Sequence, residues 1–276
     1  MTQINNHKKF ILQAYIIIFY VLMVYKFFMG MFLYQFTPVY FFANDNIINW
    51  ILINTGFLQI VSANKMVAIA LDALYYTAPI LLYGLYRFKK IAFIVAIYML
   101  LVNWLYVHVY TSFITNSIEA HTAWLLFPVL FLTNDKKWII TEEALRYFFL
   151  FFFASAGIWK ITQGGIFNTH QMSNILFTQH KELLLLTPNC WYASCIQWLI
   201  QHNLISYSLY AIATVAELVF IVGFFTKKYD THLIGIFIIF LIFDHFLMRI
   251  PYYDVLPYLI LLLPKPTWYK TYLQTL

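Results

Sequence analysis

The residues able to do chemistry sit where the chain is most apolar. Lys160 closes an apolar and aromatic run that begins near Ala144, and Gln163-Gly164-Gly165 follows it as a turn. An ionisable group in such a run is costly and invites a functional hypothesis. Lys26, Asp72, Glu119, His121, Glu217, Asp244 and His245 share this property. A lysine at a helix mouth has two readings. In one it snorkels, with the stem in the apolar layer and the amine in water. In the other it is desolvated, loses proton affinity and acts as a base near neutral pH. Each companion also has a structural reading. Asn116 and Glu119 have capping-box spacing, and His121 suits a satisfied core histidine. Asp72 and Lys26 can pair with each other or with neighbours. Glu217 can hydrogen-bond across helices, and Asp244 can orient Arg249 or a tyrosine. The chain has no Walker loop, dinucleotide glycine fingerprint or zinc-protease signature. Cys190 and Cys195 match no metal spacing and read as two unpaired structural cysteines.

The elements that must position these groups are membrane helices. The 276 residues are 63% hydrophobic, 21% aromatic and 10% charged. A soluble domain carries about a quarter charged residues. A net charge of +6 therefore reads as helix-end lysine and arginine rather than a nucleic-acid surface. The expected fold is an all-α polytopic bundle filling 1–276 as one domain, with no separate soluble domain. About eight spans are expected: 10–36, 66–86, 91–110, 118–132, 144–161, 204–225, 232–248 and 255–263. The fourth and eighth are thin for a full crossing. The first apolar run is too long for a cleaved signal and reads as a retained span.

Loop charge orients the bundle. With the N-terminus inside, the inner connections carry Lys8, Lys9, Arg87, Lys89, Lys90, Lys136, Lys137, Lys227, Lys228, Lys265 and Lys270, and the outer ones only Lys65, Lys181 and Arg249. That bias follows the positive-inside rule and places both termini in the cytoplasm. It also brings Lys160, Glu119, His121, His245 and Asp72 to the outer half of the bundle, with Glu217 and Lys26 deeper. Two outer segments are long, 37–65 and 162–203, and 191–200 within the second reads as an interfacial amphipathic helix.

Against this frame a family resemblance stands out. Ala156-Gly157-Ile158-Trp159-Lys160, followed by a glycine-containing outer loop, resembles the AGxxK stretch of the vitamin K-dependent γ-glutamyl carboxylases and of bacterial proteins sharing their transmembrane domain. His121 ahead of Leu125-Leu126-Phe127, the helix Glu217 to Phe225, His245-Phe246-Leu247-Met248 and Tyr258-Leu259-Ile260 resemble later parts of that domain in the same order. The resemblance covers 116–264. It implies that Lys160 deprotonates a reduced naphthoquinone such as menaquinol at the extracytoplasmic side. Oxygen then yields an epoxide, and the base released removes a glutamate γ-proton before carbon dioxide is taken up. On this reading Lys160 and His121 are catalytic, and His245, Glu119, Asp72, Trp159 and Glu217 line the quinol pocket. The partners implied are the bilayer and a lipid-soluble quinone, with no nucleic acid; the location implied is a bacterial inner membrane. The sequence stops at Leu276 soon after the eighth span, so a large domain presenting glutamates is not expected, and carboxylation of a protein is the weakest part of the inference. The rival reading is a non-catalytic subunit of an envelope complex that contacts a protein partner through 162–203. A small-solute transporter is disfavoured, since no inverted repeat is visible.

Overall fold

The computed structural model describes residues 2–36, 47–113, 121–249 and 252–269. Every regular element among them is helical. The elements are α1 (Thr2–Phe28), α2 (Ile47–Asn54), α3 (Phe57–Ala63), α4 (Lys65–Leu85), α5 (Lys89–Phe113), α6 (Thr122–Leu126), α7 (Asp135–Thr162), α8 (Gln171–Gln179), α9 (Lys181–Leu186), α10 (Trp191–Gln201), α11 (Asn203–Leu218), α12 (Val222–Phe225), α13 (Asp230–Phe243) and α14 (Leu259–Leu262). Tighter 3-10 turns extend α6 over Phe127–Leu132, join α11 to α12 and precede α14 over Tyr252–Tyr258.

Six helical stretches among the described residues are long and apolar enough to cross a membrane: Gln3–Gln35, Lys65–Leu85, Lys89–Phe113, Lys137–Thr162, Asn203–Phe225 and Asp230–Met248. These are the marks of an integral membrane protein. The fourth and eighth expected spans correspond to Thr122–Leu132 and Tyr252–Leu262. These mostly 3-10 segments rise only about 20 Å, against an apolar core of about 30 Å.

The chain forms two compact units. The first contains the described residues of Met1–Glu142 together with Tyr253–Ile260. Its core is aromatic. Tyr15 stacks on Phe127 with centroids 3.5 Å apart, and Tyr75 stacks on Tyr106 at 3.9 Å. Phe19 meets Trp124 edge-on at 4.8 Å. Such pairs add specific geometry to the burial of large apolar surface. Asn103 on α5 donates to the Trp124 carbonyl at 2.9 Å and so ties α6 to α5. Pro79 inside α4 lacks an N–H, and the Tyr20 hydroxyl donates to the nearby Tyr76 carbonyl at 2.6 Å. Asn64 caps α4 by accepting the Met66 N–H at 3.0 Å.

The second unit contains Glu143–Tyr252 and 261–269. Phe149, Phe153, Phe220 and Phe237 form its centre, with ring centroids 4.8–5.7 Å apart along the chain of contacts from Phe149 to Phe237 and Phe220. Two glycines allow close approach there. A Cβ on Gly223 would lie 2.6 Å from Leu150, and one on Gly157 would lie 2.9 Å from Leu218. Small residues of this kind let membrane helices pack backbone to backbone. The segment after α7 is helical too: Met172, Leu176, Ile196, Leu199 and Tyr210 make a smaller core of α8, α10 and α11. The expected interfacial helix is α10, and its Trp191 is 81% exposed.

Helix boundaries differ from expectation in an informative way. The fifth span begins at Asp135 rather than Ala144. Its early charges resemble a loop in sequence, but Glu142, Glu143 and Arg146 are paired. His7 meets Glu142 at 3.1 Å within the first unit. In the second, Lys227 meets Glu143 at 2.6 Å, and Arg146 holds Asp230 through Nε at 2.9 Å and Nη2 at 2.5 Å. The first helix likewise begins at Thr2 and ends at Phe28, with Gly30 at φ 68° turning the chain.

Candidate functional site

The chemistry of the second unit gathers at the end of α7. The Lys160 amine donates to Glu217 Oε1 of α11 at 2.7 Å. Its side chain is 25% exposed, whereas that of Glu217 is 4% exposed. The rings of Tyr210 and Phe240 lie 5.5 Å and 5.9 Å from the amine, within cation–π reach. Asp244, which follows α13, is buried and close enough to feel the charges of both Lys160 and Glu217. The amine bonds Glu217, and Asp244 is a second buried carboxylate within the range of its charge. Glu217 Oε2 and Asp244 Oδ2 are both buried with no hydrogen-bond partner among the described residues. Buried acceptors left in this way mark a place where a donor is missing.

Local backbone explains how the groups meet. Gly157, one turn before Lys160, leaves room for Glu217: a Cβ there would lie 3.2 Å from the Glu217 Cβ. Gly164, at φ 75°, ends α7 in the left-handed conformation that glycine adopts without strain. A Cβ on Gly165 would lie 2.7 Å from the Tyr210 hydroxyl, so the loop also passes close to that ring. Asp244 opens a π-helical turn, Asp244–Met248, and Arg249 after it has φ 53°. Wide turns of this type recur at functional sites. A left-handed arginine is an uncommon conformation held by its surroundings.

The first unit has its own polar centre. Asp254 accepts from Lys26 Nζ at 2.8 Å and from Trp124 Nε1 at 2.7 Å, and lies 3.2 Å from His121 Nδ1. Tyr110 covers it, 5.0 Å from the Lys26 amine and 5.4 Å from the His121 ring. A carboxylate on Nδ1 fixes the tautomer and turns Nε2 into the reactive nitrogen. Nε2 of His121 is buried with no partner among the described residues.

Of the residues expected to form one site, Lys160 and Glu217 are brought together, and His121 finds its carboxylate in the first unit. Asp72 and Lys26 do not pair with each other. Asp72 accepts from Tyr106 at 2.7 Å and from the Leu33 and Tyr34 N–H groups at 3.2 Å each, tying the turn after α1 to α4 and α5. His245 is half-buried with its ring against Phe246, and Trp159 is 64% exposed. Glu119 lies outside the described residues. Asp254, Trp124 and Tyr210 have no role in the sequence reading. Asp254 gave one signal, an acid at the start of a short apolar segment. Arg146 gave another, a charge inside an apolar run.

Outside the spans, His180 Nδ1 lies 3.1 Å from the Leu176 carbonyl and Nε2 lies 2.9 Å from the Tyr192 hydroxyl, which also donates to the Phe246 carbonyl. These contacts brace α8 and α10 against the π-helical turn. Burial pushes His180 below the ordinary histidine value; the Arg249 charge adds to this and the Leu176 hydrogen bond opposes it. Cys190 and Cys195 are unpaired, and the Cys190 sulfur accepts the Ala193 N–H at the start of α10.

No protein-family model, no curated protein and no solved structure matches this chain.

Proposed function

We propose that this chain is an inner-membrane protein with eight membrane segments and both termini in the cytoplasm, and that its second unit carries out acid–base chemistry on a lipid-soluble quinol. The observation that carries this reading is the Lys160–Glu217 hydrogen bond with a second buried carboxylate, Asp244, within range of its charge, which leaves two buried acceptor oxygens to spare. The loop lysines support the orientation. Six full-length stretches and two shorter apolar helices among the described residues support the count.

A reduced naphthoquinone suits these residues on two counts. Its hydroxyls are donors for Glu217 Oε2 and Asp244 Oδ2, and its flat ring suits the Tyr210 and Phe240 faces. When bound it supplies the acidic hydroxyl and the electrons. The protein supplies the proton route. Passing the shared proton along the 2.7 Å hydrogen bond to Glu217 leaves Lys160 able to accept one from a substrate hydroxyl. Asp244 holds the substrate or receives the next proton. His121, oriented by Asp254, is a second acid–base group in the first unit. The carboxylase resemblance implies the outcome, an epoxide formed from quinol and oxygen with release of water.

A second reading, a non-catalytic subunit of an envelope complex, draws on the apolar surface of the outer segment. Phe177 is 53%, Leu186 72% and Trp191 81% exposed there. Purified protein and its Lys160→Ala variant, given menaquinol and oxygen, separate the two. Epoxide formation lost in the variant supports the enzyme. Equal product from both, or none from either alongside a stoichiometric co-purified partner, supports the subunit.

A further inference from the structure

His180 ends α8 with no exposed surface and takes no part in the Lys160 cluster. Its Nε2 lies 2.9 Å from the Tyr192 hydroxyl of α10, and that hydroxyl donates to the Phe246 carbonyl in the π-helical turn. A hydroxyl has one hydrogen to give. With that hydrogen on Phe246, the imidazole holds Tyr192 by donating from Nε2. One neutral side chain therefore links α8 and α10 to the turn that Asp244 opens. The same elements share an apolar core: Tyr192, Leu247 and Met248 pack against the core of Leu176, Ile196 and Tyr210. The Tyr210 ring in turn lies 5.5 Å from the Lys160 amine. The α8–α10 segment is thus seated on two neighbours of the cluster, the ring that flanks its amine and the turn that carries Asp244.

We infer that α8 to α10 form a strap that His180, through Tyr192, latches to the π-helical turn, and that acid releases it. The latched and released forms differ in what surrounds the imidazole. Latched, it is buried; released, it stands in water. A charged imidazole is penalised only in the latched form, so protonation shifts the population toward release. Packed against α8 are α9, α10, α11 and the π-helical turn. They bring the exposed Lys181 and Glu182, Tyr192 and Cys195, Tyr207, Tyr210 and Glu217, and Asp244 and His245 with Arg249 after them. Of the charges among them, Arg249 acts on the imidazole and adds to the penalty. The Leu176 carbonyl, 3.1 Å from Nδ1, would accept a hydrogen from the charged form, but burial outweighs it. Release frees the Phe246 carbonyl and loosens the packing on Tyr210. That this admits substrate to Lys160 rests on the proposed chemistry; the latch itself does not.

The test is hydrogen–deuterium exchange of the full chain in nanodiscs, compared between about pH 7.5 and pH 5.5 after correction for the intrinsic pH dependence of amide exchange. Exchange across α8 to α10 is expected to rise on acidification. With a solvated imidazole titrating at its ordinary value in the released form, the rise has a limit of about tenfold. His180→Gln keeps an N–H for Tyr192 but takes no proton, so it abolishes the pH response. Tyr192→Phe deletes the hydroxyl and leaves α10 less protected already at the higher pH. Peptides of α7, in the same unit, stay unchanged. Lys160→Ala keeps the pH response, so the latch and the quinol chemistry fail separately. No rise in the wild type, the same rise in His180→Gln, wild-type protection in Tyr192→Phe, or an equal rise across α7 overturns the latch.

Discussion

Removing the Lys160 amine tests the cluster most severely. Lys160→Met leaves Glu217, only 4% exposed, as an unpaired carboxylate beside Asp244. Breaking a fully buried ion pair by removing one partner costs about 3–5 kcal/mol, and breaking an exposed one costs about 0–1 kcal/mol. The lysine side chain is 25% exposed, so water reaches part of the site. The expected cost is therefore intermediate, roughly 2–3 kcal/mol. In a chain of this size that corresponds to a fall of roughly 5–10 °C in the unfolding midpoint. Glu217→Met alone costs less, because the freed amine can turn to solvent. Replacing both residues with methionine restores much of the loss, since an apolar pair of similar volume no longer buries a charge. The assay is a double-mutant cycle from denaturant titrations in mixed micelles. A coupling of at least about 1 kcal/mol is expected. Additive single effects, within about 0.5 kcal/mol, would refute the claim that the two groups share one desolvated site.

Other substitutions probe the frame around the cluster. Asp230→Asn removes the bidentate partner of buried Arg146 and is expected to destabilise by about 3–5 kcal/mol, read in the same titration. Gly157→Ala sets a Cβ 2.9 Å from Leu218 and is expected to cost about 1–3 kcal/mol and to lower turnover by shifting α11. For His180 the sign follows from burial. Its folded value lies below the unfolded one, so the unfolded chain binds the extra proton. Stability is fully present above the ordinary histidine value, near pH 6.5, and declines as the pH falls below it. Midpoints measured across that range should fall in the wild type, and His180→Gln should flatten the slope.

The membrane class and the helical fold were legible because hydropathy sums over whole helices. Lys160 and Glu217 were legible singly, since a charge in an apolar run is conspicuous. Their pairing was not: α7 and α11 are far apart in sequence, and what brings them together is the absence of a side chain at Gly157. Charges near the start of α7 misled the boundary because Glu143 and Arg146 have partners, Lys227 and Asp230, that lie well downstream. Shared depth grouped His121 with Lys160, but depth could not supply their partners, Asp254 within the first unit and Glu217 within the second. Asp254 settles the surroundings of His121, and it lies in a short apolar segment with little helical periodicity to read.

Infrared difference spectroscopy of the purified protein, recorded as menaquinol is added, reads the cluster directly. The account predicts a change in carboxyl protonation on quinol binding that Glu217→Gln or Asp244→Asn diminishes and that Lys160→Met alters. A spectrum in which quinol leaves every carboxyl band unchanged, or changes bands that survive in both carboxylate variants, would contradict it.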